Sequence, residues 1–327
     1  MHDLPYFLQS APGDMTQAIQ ACLDQYKACV LGPGRFEVRG IRMPDNATLC
    51  GLGAASRLVL AAQIQEGAAV QLGSYCTVKD LHLVGADTPI ELPPVPGKRH
   101  GVLFLGDATP ENGAQTPPPR HSHLSGLMIS AFTGGAITCC GTGYSVKCSL
   151  NALNCTLTNC GVGIYVPYFS EYHRFSNVLS TGNRFGCINN GGNNVFVGCG
   201  FDENGTGFVI DNRDGRACNN SHGSVVGCTF NHSGENKGVG IHLINAQVGQ
   251  VFTAGQMWYS QILVENSTNV VFDSFNFGRS VPITAKGPQA VYVNNCRFYS
   301  PPKLLAQDGA RLVLSHCYAQ DGSKIEE

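Results

Sequence analysis

A short apolar segment returns along this chain at regular intervals, and that return constrains the fold more than any other feature. Val195–Phe201 reads VFVGCGF, Ser224–Phe230 reads SVVGCTF and Val271–Phe277 reads VFDSFNF. Tyr292–Phe298 reads YVNNCRF, and Val313–Ala319 reads VLSHCYA. Aligned on the cysteine place, these fall at 199, 228, 275 (a phenylalanine), 296 and 317. The last two steps are 21 residues each, and Val251–Met257 fills the double step between 228 and 275. Upstream, Leu81, Leu127, Cys155 and Val178 occupy the same place. Roughly ten copies of a unit of about 20–30 residues are the mark of a solenoid, in which each repeat buries its apolar face against its neighbours.

The solenoid is expected to be β rather than helical. Of 327 residues, 40 are glycine, 43% are apolar and only 13% are charged, which means many tight turns around a large core. Each copy holds two or three runs of four to six strand-forming residues, separated by Gly, Asn and Asp, which tolerate positive φ at sharp corners. Asn154, Asn177, Asn183, Asn194, Asn269 and Asn295 fall at or beside such corners, where an amide can bond its own copy in the next coil. One elongated all-β domain over residues 1–327 follows from the unbroken repeat.

Fifteen cysteines is an odd number, and Cys155, Cys199, Cys228, Cys296 and Cys317 share one repeat position. They read as buried thiols, and the paired C-x-x-C spacing of a structural zinc site is missing. Reduced thiols point to the cytoplasm. A formal net charge of -2 gives no ground for a nucleic-acid partner or an anionic membrane. No apolar run approaches the roughly 18 residues of a membrane span. The start, MHDLPYFLQSAPGD, has no basic stretch leading into an apolar one, so no signal peptide is expected.

Asp14 to Cys29 reads as one helix, with Asp14 capping it alongside Gln17 and with Met15, Ile19, Leu23 and Tyr26 on one apolar stripe. Its expected task is to close the open end of the stack. Residues 84–122 are an insertion rich in proline (Pro89, Pro93, Pro94, Pro96, Pro110, Pro117, Pro118 and Pro119) around one strand-like piece, Gly101–Leu105. Insertions leave a solenoid as loops on one face and often wall a binding site. Aromatic, charged and amide residues concentrate in 161–193 and 202–223, which marks the expected functional face.

The opening DMTQAIQACLDQYKACVLGPGRFEV, followed by Gly51 and Gly53, resembles the start of the pectate-lyase-like right-handed parallel β-helix superfamily. Asp14, Thr16, Ala18, Ile19 and Gln20 match its D-x-T-x-A-I-Q helix, and Phe36 stands for the Tyr of its G-x-Y-x-V strand. The resemblance implies a right-handed parallel β-helix of about ten coils with an N-terminal capping helix. The superfamily includes polysaccharide lyases, glycoside hydrolases, epimerases and phage tailspikes, many of the last trimeric, so an oligo- or polysaccharide partner and a homotrimer are both implied. Such motifs specify fold, and chemistry has to come from a site.

Three groups of residues are candidates for that site. Asp202, Glu203, Asp211 and Asp214 form an acidic set, and carboxylates on neighbouring strands can reach the roughly 5–10 Å separations of glycosidase pairs. Ordinary turn sequences also look like this. Asn219–Ser224, NNSHGS, is similar to the G-H-G-x-S segment of polygalacturonase-type hydrolases, with Ser221 for the first Gly, which nominates His222. The accompanying N-x-D and R-x-K elements are not at their places. Tyr165, Tyr168, Glu171, Tyr172, His173 and Arg174 combine rings and charge as a sugar-binding wall does, and Trp258 with Tyr259 forms a shorter platform. Arg213 is expected to orient substrate.

Glycosidic hydrolysis by the acids, without a cofactor, is the leading expectation. Elimination on a uronate glycan is the alternative, drawing on His173 with Tyr172 or Tyr168 as base, on Arg184, Arg213, Arg216 and Lys237, or on Ca²⁺ held by the acids. A non-enzymatic, tailspike-like carbohydrate-binding or assembly protein fits the low charge equally.

Overall fold

A computed structural model describes residues 6–88, 90–109, 112, 115–214, 222–233, 238–247, 249–279 and 281–325. Apart from one α-helix, Thr16–Tyr26, and one 3-10 turn, Val146–Cys148, the described residues form strands and their connections. The strands stack in three parallel columns. The first face includes Leu150–Leu153, Arg174–Ser176, Asn194–Val197, Gly223–Val226, Gln250–Thr253, Val270–Asp273 and Ala290–Asn294 in successive register. The second includes Met128–Ser130, Thr156–Thr158 and Leu179–Thr181, single bridges at Gly200 and Thr229, then Gln256–Met257, Asn276–Phe277 and Arg297–Phe298. The third is a sheet of eleven strands from Ile41–Arg42 to Lys303–Gln307. Among the described residues every strand pairing is parallel except the last, Cys317–Ala319 against Lys324–Ile325.

The repeat has a local cause. Directly before each cysteine place stands a residue with φ between 53° and 64°: Asp80, Gly126, Asn154, Asn177, Gly198, Gly227, Ala254, Ser274, Asn295 and His316. One left-handed residue bends the chain from the first face to the second and reverses the in–out alternation. Phe196, Cys199 and Phe201 therefore all point into the core, although a strand would alternate them. The repeated segment Val195–Phe201, which by sequence reads as one short strand, is strand Asn194–Val197, a corner at Gly198 and a bridge at Gly200. The corner carries its own ladder: Asn177 N–H donates to Val197 O at 3.0 Å, and Gly198 N–H to Val226 O at 2.9 Å.

Inside, the strand step of about 4.8 Å brings equivalent rings into stacking range. Phe175 and Phe196 stack at 5.1 Å, Phe252 and Phe272 at 5.1 Å, and Phe277 and Phe298 at 4.8 Å. Gly255 takes the cysteine place between Cys228 and Phe275. A Cβ on it would lie 2.4 Å from Phe275 Cε2, so the missing side chain makes room for the ring. The asparagines divide into two kinds. Asn177 Nδ2 donates to Asn154 Oδ1 at 3.2 Å on the surface, whereas buried Asn183 accepts from Cys160 N–H at 2.8 Å and Asn204 from Asn183 N–H at 2.9 Å. The fourteen described cysteines are free, and all but Cys50 and Cys140 are buried; Cys218 lies outside the described residues.

The helix is shorter than expected. Asp14 Oδ1 accepts from Thr16 N–H at 2.9 Å rather than acting with Gln17, and Lys27, at φ 54°, ends the helix by donating to Leu23 O at 2.9 Å. Ala28 then begins the first strand, Ala28–Leu31. Ile19, Cys22 and Leu23 are buried in the main core.

Gly255→Ala should lower stability by about 1–3 kcal/mol through overpacking. Gly227→Asn, which gives an exposed corner the residue that Asn154 and Asn177 already supply, should cost about 0.5 kcal/mol or less. Urea midpoints measure both, and equal losses would overturn the corner account.

Candidate active site

On the third-face strand Thr206–Asp211, Phe208 and Ile210 point into the core, so Val209 and Asp211 face outward. Register aligns Tyr165, Ile188, Val209 and His242 in one outward row, a coil apart. Val162, Ile188 and Val209 form a small apolar cluster outside the main core, with Tyr165 and Phe185 packed on it. Burial in this setting pushes the Tyr165 phenol above its usual range.

Beyond the end of that row the chain turns through Asn212, Arg213 and Asp214. Arg213 Nε donates to Asp211 Oδ1 at 2.9 Å while Nη2 bonds Oδ2, a two-point pair. The guanidinium holds the Asp211 carboxyl below its ordinary value of 3.8. Tyr168, from two coils earlier, donates its hydroxyl to Asp214 Oδ1 at 2.5 Å and to Asp211 O at 3.3 Å. Asn190 Oδ1 accepts from Asp211 N–H at 2.9 Å. With Ile188, Tyr165 and Pro96 these residues enclose a cavity of about 340 Å³. Pro96 belongs to the proline-rich insertion, so that loop supplies one wall.

Sequence reasoning missed the neighbouring charges. Asp211 is in register with Ile244, Glu265 and Lys286. Glu265 Oε1 lies 2.7 Å from His242 Nε2, and Lys286 Nζ lies 3.8 Å from Glu265 Oε2. Two strand steps place the Asp211 and Glu265 backbones roughly 10 Å apart. Their alignment needs the coil lengths, 33 residues from Asp211 to Ile244 and 21 from there to Glu265, and no local motif shows it.

No family model matches this sequence, and no curated protein does. Solved structures do match. Tailspike protein 2 of the Escherichia coli O157:H7 bacteriophage CAB120 superposes with a TM-score of 0.61 at 14% identity, over 92% of this chain and 45% of that one. The A-module of the Azotobacter vinelandii mannuronan C-5 epimerase AlgE4 gives 0.53 at 14% identity over 96% of both chains. Tailspike gp49 of the Acinetobacter baumannii bacteriophage Fri1, a capsular polysaccharide depolymerase, gives 0.57 at 11%, over 96% of this chain and 58% of that one. This chain folds as a right-handed parallel β-helix.

The β-helix separates residues that looked like one group. Asp202 and Glu203 sit at the corner before the strand Thr206–Asp211, roughly 17 Å along it from Asp211. Asp202 is also engaged structurally, accepting from Asn231 N–H and Thr229 Oγ1, both at 2.7 Å. Glu203, at φ 57°, forms the turn itself. The four acids are therefore two pairs on two corners.

The Tyr165–Arg174 stretch also divides. His173 is wholly buried. Its Nδ1 accepts from Leu150 N–H at 3.0 Å, Nε2 meets Thr142 Oγ1 at 3.2 Å, and its ring is edge-on to Phe104. Desolvation pushes its pKa down to about 3, so it is a core residue and cannot reach substrate as a base. Glu171 is buried and accepts from Asn193 Nδ2 at 2.7 Å. It shares the corner with His222: a Cβ on Gly192 would lie 3.0 Å from both Glu171 Oε1 and His222 Nδ1. Tyr172 adopts φ 64° at this corner. Arg174 is exposed on the first face, in register with Asn151 and Val195. Trp258 lies on later coils, beside Tyr299.

Residues 215–221, with Arg216 and Ser221, and Lys237 lie outside the described residues. Among the described residues no three His, Cys, Asp or Glu side chains gather as metal ligands, and the Asp211 carboxylate is engaged by Arg213. The described donors at this corner do not form a Ca²⁺ cage, and no step below passes through one.

Two buried histidines set an acid limit. His173 and His100, the latter pushed down to about 4, stay neutral in the fold, while an unfolded imidazole takes its proton near 6.5. The unfolded state then binds more protons, so stability is full above pH 6.5 and falls as pH drops from there toward 4. The slope should be about 1.4 kcal/mol per pH unit for each histidine. Denaturant unfolding from pH 7 to 4.5 should show the fall, and His173→Asn should flatten it while lowering stability at pH 7.

Proposed function

We propose that this protein hydrolyses glycosidic bonds in an oligo- or polysaccharide laid across the third face at the Asp211–Asp214 corner. One observation carries the reading: two carboxyl groups share one cavity in unlike settings. Asp211 is kept ionised by the two-point Arg213 pair. It serves as base toward water or stabilises positive charge developing at the anomeric carbon. Asp214 shares a short hydrogen bond with the Tyr168 phenol. Asp214 takes the part of acid toward the leaving oxygen, with the Tyr168 hydroxyl fixing where its carboxyl points. Tyr165 and Ile188 offer the apolar surface against which a sugar ring rests.

Structural neighbours support a polysaccharide-processing role. They include the depolymerase tailspike and epimerase already described, and the catalytic unit of a GH87 α-1,3-glucanase from Streptomyces thermodiastaticus (TM-score 0.51, 14% identity). Elimination on a uronate glycan stays the alternative; it needs a cation to neutralise the substrate carboxylate, and Arg213, the cation in this cavity, is paired with Asp211.

The test is incubation with a panel of neutral and uronate glycans, read by new reducing ends and by ultraviolet absorbance of an unsaturated product. Reducing ends without absorbance are expected. Asp211→Asn, Asp214→Asn and Tyr168→Phe should each lower kcat roughly 10²–10⁴-fold. Asp202→Asn should leave kcat near the parent value. Absorbance growing with the reducing ends would replace hydrolysis by elimination, and an active Asp211→Asn, Asp214→Asn double variant would move the site elsewhere.

A further inference from the structure

We propose that the last coils carry a second carbohydrate-binding site, built around Trp258 and sharing no residue with the Asp211–Asp214 cavity. A cavity of about 660 Å³ opens on the second face, lined by Trp258, Gln256, Asn276, Arg297, Tyr299 and Tyr318 among others. Gln256, Asn276, Arg297 and Tyr318 stand in register, one per coil, with their side chains exposed. The step of about 4.8 Å between them is close to the length of one pyranose residue in an extended chain. A glycan running along the stack would meet one polar or aromatic side chain per sugar.

The platform is preformed. The Trp258 indole lies against Gly278, where a Cβ would fall 2.2 Å from Trp258 Cδ2, so a glycine is required for the ring to rest on the backbone. Trp258 N–H donates to Asn231 Oδ1 at 2.9 Å. Tyr299 sits 5.3 Å from the indole centroid, and the Arg279 guanidinium lies 5.2 Å from the Tyr299 ring centre. Tyr299 and Tyr318 are 39% and 41% exposed, leaving ring surface for the C–H face of a sugar. At the far end the turn through Ala319, Gln320 and Gly322 closes the groove.

Two amides and a guanidinium stand in one row beside the rings of Trp258 and Tyr299, a pattern that pairs hydroxyls along a line with ring faces next to it. Four coils span three steps, about 14 Å, so the ligand is a linear glycan of about four residues. None of these residues is used in the proposed cleavage.

Trp258 is the single tryptophan of the chain, so intrinsic fluorescence reports on this groove directly. The full chain and its Asp211→Asn, Asp214→Asn double variant would be titrated with tetra- to hexasaccharides of a β-glucan, a mannan and a polyuronate. Emission and calorimetric heat would be followed together. A saturable emission change with at least one series is expected in both proteins. Arg297→Ala and Tyr318→Ala, checked for fold by circular dichroism, should weaken it about tenfold or more without altering any cleavage of short substrates. Heat without an emission change would confine binding to the acidic cavity and overturn the second site. Silence in both signals would also overturn it, as would an emission change that survives both substitutions. An emission change that follows protein concentration alone, with a rise in mass by light scattering, would make the groove a self-association face instead.

Discussion

The structure depends on one hydrogen-bond ladder running the length of the stack, and on one left-handed residue at each corner between the first and second faces that lets the ladder turn there. Parallel strands need long crossovers, and here each crossover is the rest of the coil, itself made of strands. The corner at Asn177, Gly198, Gly227 and Ala254 is as well bonded between coils as the strands are. The fold thus places neighbouring coils in fixed register wherever strands or corners pair. Everything the surface can do follows from which side chains that register lines up.

Register is what assembles the candidate site. Tyr168 and Asp214 are far apart in sequence and meet because two coils separate them along the stack. Asp211 and Glu265 fall in line for the same reason. The proline-rich insertion adds Pro96 to the wall, since a loop leaving the stack can fold back over the outer face without disturbing the ladder. A rigid surface of this kind suits a long, linear substrate, whose repeating units meet side chains at the spacing of the strands.

Much of the fold was legible because its cause is local. The inward place held by Cys155, Cys199 and Cys228 and the apolar run around it recur from copy to copy, so pattern alone revealed them, whereas the left-handed residue before that place varies among Gly, Asn, Asp, Ser, Ala and His and was not legible as one motif. The site was less legible, for two physical reasons. A strand separates Asp202 from Asp211, so residues nine apart lie on different corners, while coils of unequal length put Glu265 in Asp211's own column. Burial is also invisible to local pattern. His173 follows Tyr172 in a polar stretch, but the left-handed conformations at Phe169 and Tyr172 turn the next side chain into the core, where it bonds Leu150 and Thr142. Tyr168, just ahead of that turn, stays at the surface.

The two grooves lie on different faces and are supported in different ways. At the acidic cavity, charge is arranged by pairing: Arg213 fixes Asp211, and Tyr168 engages Asp214, which on the proposed reading serves chemistry on one bond. At Trp258 the rings are fixed by packing on Gly278 and Arg279, and the polar side chains between them are exposed and chemically unremarkable. That is a surface for holding, not for reacting. Since the β-helix is rigid along its axis, a long chain bound on the second face does not reach the third face by bending the protein; it has to wrap the edge between them or be a separate strand of the same polymer. If both proposed sites hold, the second raises the local concentration of substrate and does not extend the cleavage groove.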